Sequence, residues 1–284
     1  MRPNVRNPAV AGAFYPGDPA EIEAMLARLF DRKCPSPNHP TPKALIAPHA
    51  GWSYSGAVAA AAFQTVEGRA FHTVVLLGNA HAAHFDGIAL DPHDAWRTPL
   101  GDVPLDEGMR SRLTALDPRL FRQSGEAHRR DHVLEVQLPF LQYILQPGFN
   151  ILPLLFGQNP AGGYRQCADD LLSDMSDSDL LIASSDLSHY PSSADAESID
   201  RATLQLMAAL DIAGLERHES AVMQRGVSGL QTAFCGPDAV KTVLEIGRRK
   251  GWRGEVLACR NSGDAEGGDR SSVVGYGAVV FRES

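Results

Sequence analysis

Cysteine is scarce: four residues in a chain of 284, at Cys34, Cys167, Cys235 and Cys259, with no CxxC pair among them. A disulfide framework is therefore excluded, and the thiols read as free groups or as a lone metal ligand. Long apolar runs are missing. None approaches the roughly 18 residues of a membrane span, and the opening MRPNVRNPAVAGAFYPGDP lacks the apolar core of a signal peptide. A cytoplasmic protein with no membrane partner is expected. A basic face is missing too. Lys and Arg number 26 against 34 Asp and Glu, and the formal charge is −8. The densest basic stretch, Gly247–Arg253 (GRRKGWR), reads as a helix C-terminus with Gly251 as its stop. Nucleic acid is not an expected partner, because a phosphate-tracking surface needs clustered cations. No P-loop, no strand-following GxGxxG and no GxSxG elbow occurs, which argues against nucleotide binding and against a serine hydrolase.

What is present is an alternation of short apolar runs with helical patterns. Strands are expected at Lys43–His49, His72–His81, Phe149–Gly157 and Asp179–His189, and within EVLACRNSGD and SVVGYGAVVF near the end. Helices are expected at Pro19–Asp31, Ser55–Val66, Glu135–Leu145, Gly163–Leu172, Glu197–Ala209, Leu215–Val222 and Leu230–Arg249. The second is Ala-rich, with Ser53 or Ser55 available as its cap. The Pro-rich stretch Lys33–Lys43 reads as a connector. The pattern predicts one α/β domain over residues 1–284, with a mainly parallel or mixed central sheet flanked by helices.

Polar residues fall where the strands end. His49 follows ALIAP, His81 follows VVLLGNA, and Asp186 and His189 follow LLIASS. In open parallel sheets, ligands bind beyond the carboxyl ends of the strands. A single loop histidine is usually just hydrogen-bonded to its own loop. Three strands delivering such groups to one edge point to a shared polar site. In EAHRRDHVLEVQLPFL, His132 and Glu135 are three apart and share a helical face if the helix has begun. They read either as part of the site or as a capping, solvent-facing pair. Cys235 precedes a Gly-Pro step into an expected helix, whose N-terminus favours a thiolate; the alternative is a small buried residue. Two imidazoles with one anionic ligand suit Fe(II), and imidazole with thiolate suits copper or zinc. Asp186 would then orient a ligating histidine.

The segments AVAGAFYPGDP, IAPHAGWSYSG, LLGNAH, WRTPLGD, DHVLEVQLPF, SSDLSHY, FCGPDA and DRSSVVGYGA, in this order, resemble the Memo family, known in bacteria and archaea as AmmeMemoRadiSam system protein B. The resemblance implies a fold like that of the class III extradiol dioxygenases, whose iron sits on two histidines and a carboxylate. In Memo-like proteins the matching pocket is lined by two histidines and a cysteine, with iron or copper binding and redox chemistry proposed. Carried over, these are His49, His81 and Cys235, with Asp186 and His189 in the pocket wall. Two departures stand out. The family usually has GPSH or GPNH where this chain has GNAH. CGPDAV moves a proline forward and brings in Asp238 as an alternative third ligand.

Three functions are therefore expected to compete. The first is an iron- or copper-binding redox protein on His49, His81 and Cys235. The second is a non-heme Fe(II) dioxygenase for a small aromatic or related substrate. It would use His189, Asp186 and His132 in catalysis and Tyr54, Trp52 and Glu135 as pocket walls. The third is a metal-free module that binds an anionic group or a peptide.

Overall fold

The computed structural model describes residues 3–30, 40–159 and 162–284. Most of the Pro-rich connector, including Cys34, lies outside them. In chain order the strands are β1 (Val5–Arg6), β2 (Ala44–Ala47), β3 (Thr73–Asn79), β4 (Ile88–Leu90), β5 (Ala95–Thr98), β6 (Gly101–Pro104), β7 (Phe121–Gln123), β8 (Asn150–Phe156), β9 (Leu180–Ser184), β10 (Arg253–Asn261) and β11 (Gly275–Arg282). The helices are α1 (Pro19–Leu29), α2 (Trp52–Phe63), α3 (Glu107–Leu116), α4 (Gly125–Arg129), α5 (Leu138–Ile144), α6 (Gly163–Asp174), α7 (Ser193–Ala208), α8 (Ile212–Gln224) and α9 (Pro237–Lys250).

Eight strands form one mixed sheet in the order β10-β11-β2-β9-β3-β8-β4-β7. Its centre, β2-β9-β3-β8, is parallel; β11 and β4 close it antiparallel on either side. The remaining three strands make a small sheet, β1-β5-β6. Side chains alternate between the faces of the large sheet. Leu45 and Ala47 of β2 join one core with α1, α2 and α5, whereas Ala44 and Ile46 join a second with α6, α7, α8 and α9. Val74 and Leu76 divide from Val75 and Leu77 in the same way on β3. Burial on both faces is why these strands read as unbroken apolar runs.

Register sets up the site. Ser184 at the end of β9 lies level with Ala47 of β2 and Gly78 of β3. His49, His81 and Asp186 follow these strand ends by two or three residues and therefore leave the sheet at one edge.

Two expected helices shift. The Ala-rich helix begins at Trp52 with Gly51 as its N-cap and no side-chain cap, so neither Ser53 nor Ser55 plays that part. The helix expected from Leu230 begins only at Pro237. Proline favours the first helical turn and disfavours helix in the residue before it, which leaves Cys235 in a loop. The short strands β4 to β7 and the five-residue helix α4 have too few residues to show a period.

Candidate metal centre

Three loops converge beyond the ends of β2, β3 and α9. Ligand atoms of His49, His81 and Cys235 all lie within 4.8 Å of one another. Nε2 of His49 is 3.2 Å from Cys235 Sγ. The His49 and His81 rings meet edge to face, 5.1 Å between centroids. Cys235 is also tied to the β9 loop: its N–H donates to Asp186 O at 3.2 Å, and its Sγ accepts the Asp186 N–H at 3.2 Å. Gly236 permits this close approach. A Cβ there would sit 2.8 Å from Ser184 O and from Ser185 Cβ.

The hydrogen bonds fix which ring nitrogens are free. Ser184 has one hydroxyl proton, and the Val133 carbonyl, 2.5 Å away, can only accept it. Ser184 Oγ then accepts from Gln137 Nε2 at 2.8 Å and from His49 Nδ1 at 3.0 Å. His49 therefore carries its proton on Nδ1, and its Nε2 lone pair faces Cys235. His81 follows the same logic. Its Nδ1 lies 2.8 Å from the Asn79 carbonyl, which can only accept, so its Nε2 lone pair is also free. Both imidazoles are presented as Nε2 donors, each with its other nitrogen anchored, as metal-ligating histidines usually are.

Burial favours the neutral forms of His49, His132, His189 and Cys235. Burial, then the neighbouring rings of His81, His132 and His189, holds His49 well below the ordinary histidine range. Burial also lowers His132, and it pushes His189 down to about 4. Cys235 goes the other way from the expectation at a helix N-terminus. Burial, with the Asp186 carboxylate beside it, pushes the thiol well up, so it stays protonated and donates to His49 Nε2. A metal would have to displace that proton. Two imidazoles and a sulfur suit a transition metal and not Mg²⁺ or Ca²⁺, which prefer oxygen.

This arrangement can be set beside known proteins. A profile described as Memo-like protein matches residues 6–280. The chain belongs to the Memo family. A MEMO1 family protein of Methanopyrus kandleri is 34% identical to it, over 98% of this chain and 99% of the relative. A second, from Archaeoglobus fulgidus, is 32% identical over 98% of this chain and 100% of the relative. The crystal structure of an uncharacterized protein from Escherichia coli K12 shares the fold at 16% identity, with a TM-score of 0.52, covering 83% of this chain and 98% of that one.

The other residues singled out in this Memo-family chain divide. Asp186 is buried beside the cluster, and its Oδ1 accepts the amides of His49 at 2.7 Å and Ala50 at 3.3 Å. Burial raises its carboxyl to about 7. It holds the His49 loop. The ring of His132 sits 5.6 Å from those of both His49 and His81, but its nitrogens are not in the ligand cluster. His189 Nε2 is buried without a partner among the described residues. Tyr54 is 53% exposed in the first turn of α2. Trp52 is 3% exposed. It is a core residue packed between Tyr15 and Phe140, with its Nε1 on Val136 O. Glu135 is likewise spent elsewhere. Its oxygens accept from Arg6, the amides of Ala9 and Val10, and the Tyr15 hydroxyl, pinning the N-terminal segment. Asp238 bonds Asn79 on both its side chain and its amide and stays outside the cluster.

Sequence reasoning missed Ser184, Gln137, Asn79 and Asp131, whose Oδ2 accepts the His81 and Ala82 amides. Each lies inside a quoted motif: SSDLSH, VQLPF, GNAH and RDH. Polar residues next to an expected ligand were the available signal.

Proposed function

We propose that His49, His81 and Cys235 hold a redox-active transition metal, iron or copper, and that this is the working site of the protein. One observation carries the reading: two imidazoles, each with its Nδ1 anchored, meet a sulfur in a cluster whose ligand atoms lie within 4.8 Å of one another. Bound there, the metal would supply one-electron redox chemistry. The chain's own groups would do the rest. Asp186 orients the His49 loop, Ser184 and Gln137 lock its tautomer, and His189 keeps a neutral ring in the pocket wall with no partner for its Nε2 among the described residues. Sulfur in the cluster, with Asp186 Oδ1 engaged by two amides, favours this over an extradiol-type centre with a carboxylate ligand.

The test is elemental analysis of protein purified anaerobically without a metal-affinity tag. Near-stoichiometric iron or copper is expected, lost in His49→Ala, His81→Ala and Cys235→Ser and kept in Asp238→Asn. No metal in the wild type, even after anaerobic Fe(II) or Cu(I) reconstitution, would overturn the reading in favour of a metal-free binding module. Oxygen uptake by the loaded protein with an aromatic diol would move it toward the dioxygenase.

A further inference from the structure

Strand β10 is the outer edge of the large sheet, and among the described residues no strand pairs with its far side. It runs nine residues, Arg253–Asn261, without a proline or a lysine. The opposite edge, β7, has only three. A long edge strand presents a row of open N–H and C=O groups, and proteins usually shorten, charge or cover such an edge.

The partners on β11 show which way each β10 side chain faces. Glu255, Ala258 and Arg260 stand opposite Val280, Ala278 and Tyr276, all in the core shared with α1 and α2. Val256 stands opposite Val279, in the core shared with α7. Cys259 stands opposite Gly277, where a Cβ would meet Leu204 of α7. The bulge between Val256 and Ala258 adds Leu257, which packs beside Ala258 on the α2 side.

If β10 pairs antiparallel with β10 of a second copy, opposite residues must share a face. Along the whole strand only a two-fold axis between Leu257 and Ala258 satisfies that. Glu255 then lies opposite Arg260, Val256 opposite Cys259 and Leu257 opposite Ala258, each twice. The charges fit this register. Arg260 is exposed and has no ion pair among the described residues. Glu255 holds Arg282 through Oε2 at 2.8 Å, with its side chain still 61% exposed. Shorter registers set Glu255 against Glu255 or Arg260 against Arg260, and like charges directly opposite repel. Val256, 38% exposed, gains cover in the paired arrangement.

We propose that the chain forms a two-fold dimer through β10, joining two eight-stranded sheets into one. A second copy is the occupant because the strand is complementary to itself: its acid and one of its bases sit at equal distances from the axis, on one face.

Sedimentation velocity of the full chain at low salt, from micromolar to submillimolar concentration, reads the association. A dimer is expected, weakened by salt. Arg260→Glu and Glu255→Arg, both at exposed positions, should each weaken it about tenfold or more, because both ion pairs become repulsive. An equal mixture of the two variants should restore it, since each pair is again of opposite charge, and this also shows that both variants fold. Val256→Cys puts a thiol opposite Cys259 of the second copy, at the roughly 4.5–5.5 Å Cα separation that a disulfide accepts. Mild oxidation should give a covalent dimer on a non-reducing gel, absent from the wild type and from Val256→Cys with Cys259→Ser. A wild type that stays monomeric throughout would overturn the proposal. So would a dimer that both charge reversals leave intact.

Discussion

Ser184→Ala tests the reasoning about the metal centre most directly, because Ser184 touches no metal-ligand atom that faces the cluster. Its hydroxyl donates to Val133 O and accepts from Gln137 and His49. Removing it leaves the His49 Nδ1–H and the Val133 carbonyl without partners in a fully buried place. Gln137 keeps its second bond, to Pro48 O at 3.0 Å. Each orphaned buried group costs about 1–3 kcal/mol, so the variant should lose about 2–6 kcal/mol of stability in urea unfolding. Nothing then holds the proton on Nδ1, and part of the population places it on Nε2, where it blocks the lone pair. Loss of such an outer partner typically weakens metal binding about 10–100-fold. The assay is anaerobic competition with a chelator for Fe(II) or Cu(I), beside a circular dichroism check of folding. Ser184→Thr keeps the hydroxyl and should restore affinity. A folded Ser184→Ala protein with wild-type metal affinity would refute the tautomer argument.

Three further outcomes are expected. Glu135→Gln leaves the Arg6 guanidinium, 2% exposed, without its carboxylate, and should cost about 3–5 kcal/mol in chemical denaturation. His128 is buried and held neutral, its pKa pushed down by burial to about 4 from 6.5. Its contribution is complete above pH 6.5 and is lost as pH falls toward 4, by up to about 3 kcal/mol. Thermal unfolding against pH should be flatter in that window for His128→Gln. Gly236→Ala forces a Cβ against Ser184 O and Ser185 Cβ, so it should destabilise by about 1–3 kcal/mol and shift Cys235 out of reach, read as reduced metal content.

Much of the site was legible because its residues sit at strand ends. Apolar runs such as ALIAP and VVLLGNA locate a strand's end to within a residue or two, and whatever polar group follows lands at the edge of the sheet. His49, His81 and Asp186 were readable in that way. Trp52 was misread because an aromatic beside a ligand loop looks like a pocket wall, and only packing against Tyr15 and Phe140 shows it to be core. Glu135 was misread because its partner, Arg6, is 129 residues away, a separation that no local spacing reveals. For Cys235 its place before a helix left two readings open, a favoured thiolate or a small buried residue. Desolvation outweighs the helix end there.

The sequence alone determined the layered α/β architecture, since runs buried on both faces and amphipathic helices have one stable way to pack. It also determined that the polar groups after those runs leave from strand ends. Tertiary structure decided the rest. It set the register that brings Ser184 level with Ala47 and Gly78, which nitrogen of each histidine is free, and the choice of Cys235 over Asp238 for the cluster. These depend on contacts between segments far apart in the chain, where a shift of one residue in register would turn the same side chains to the other face.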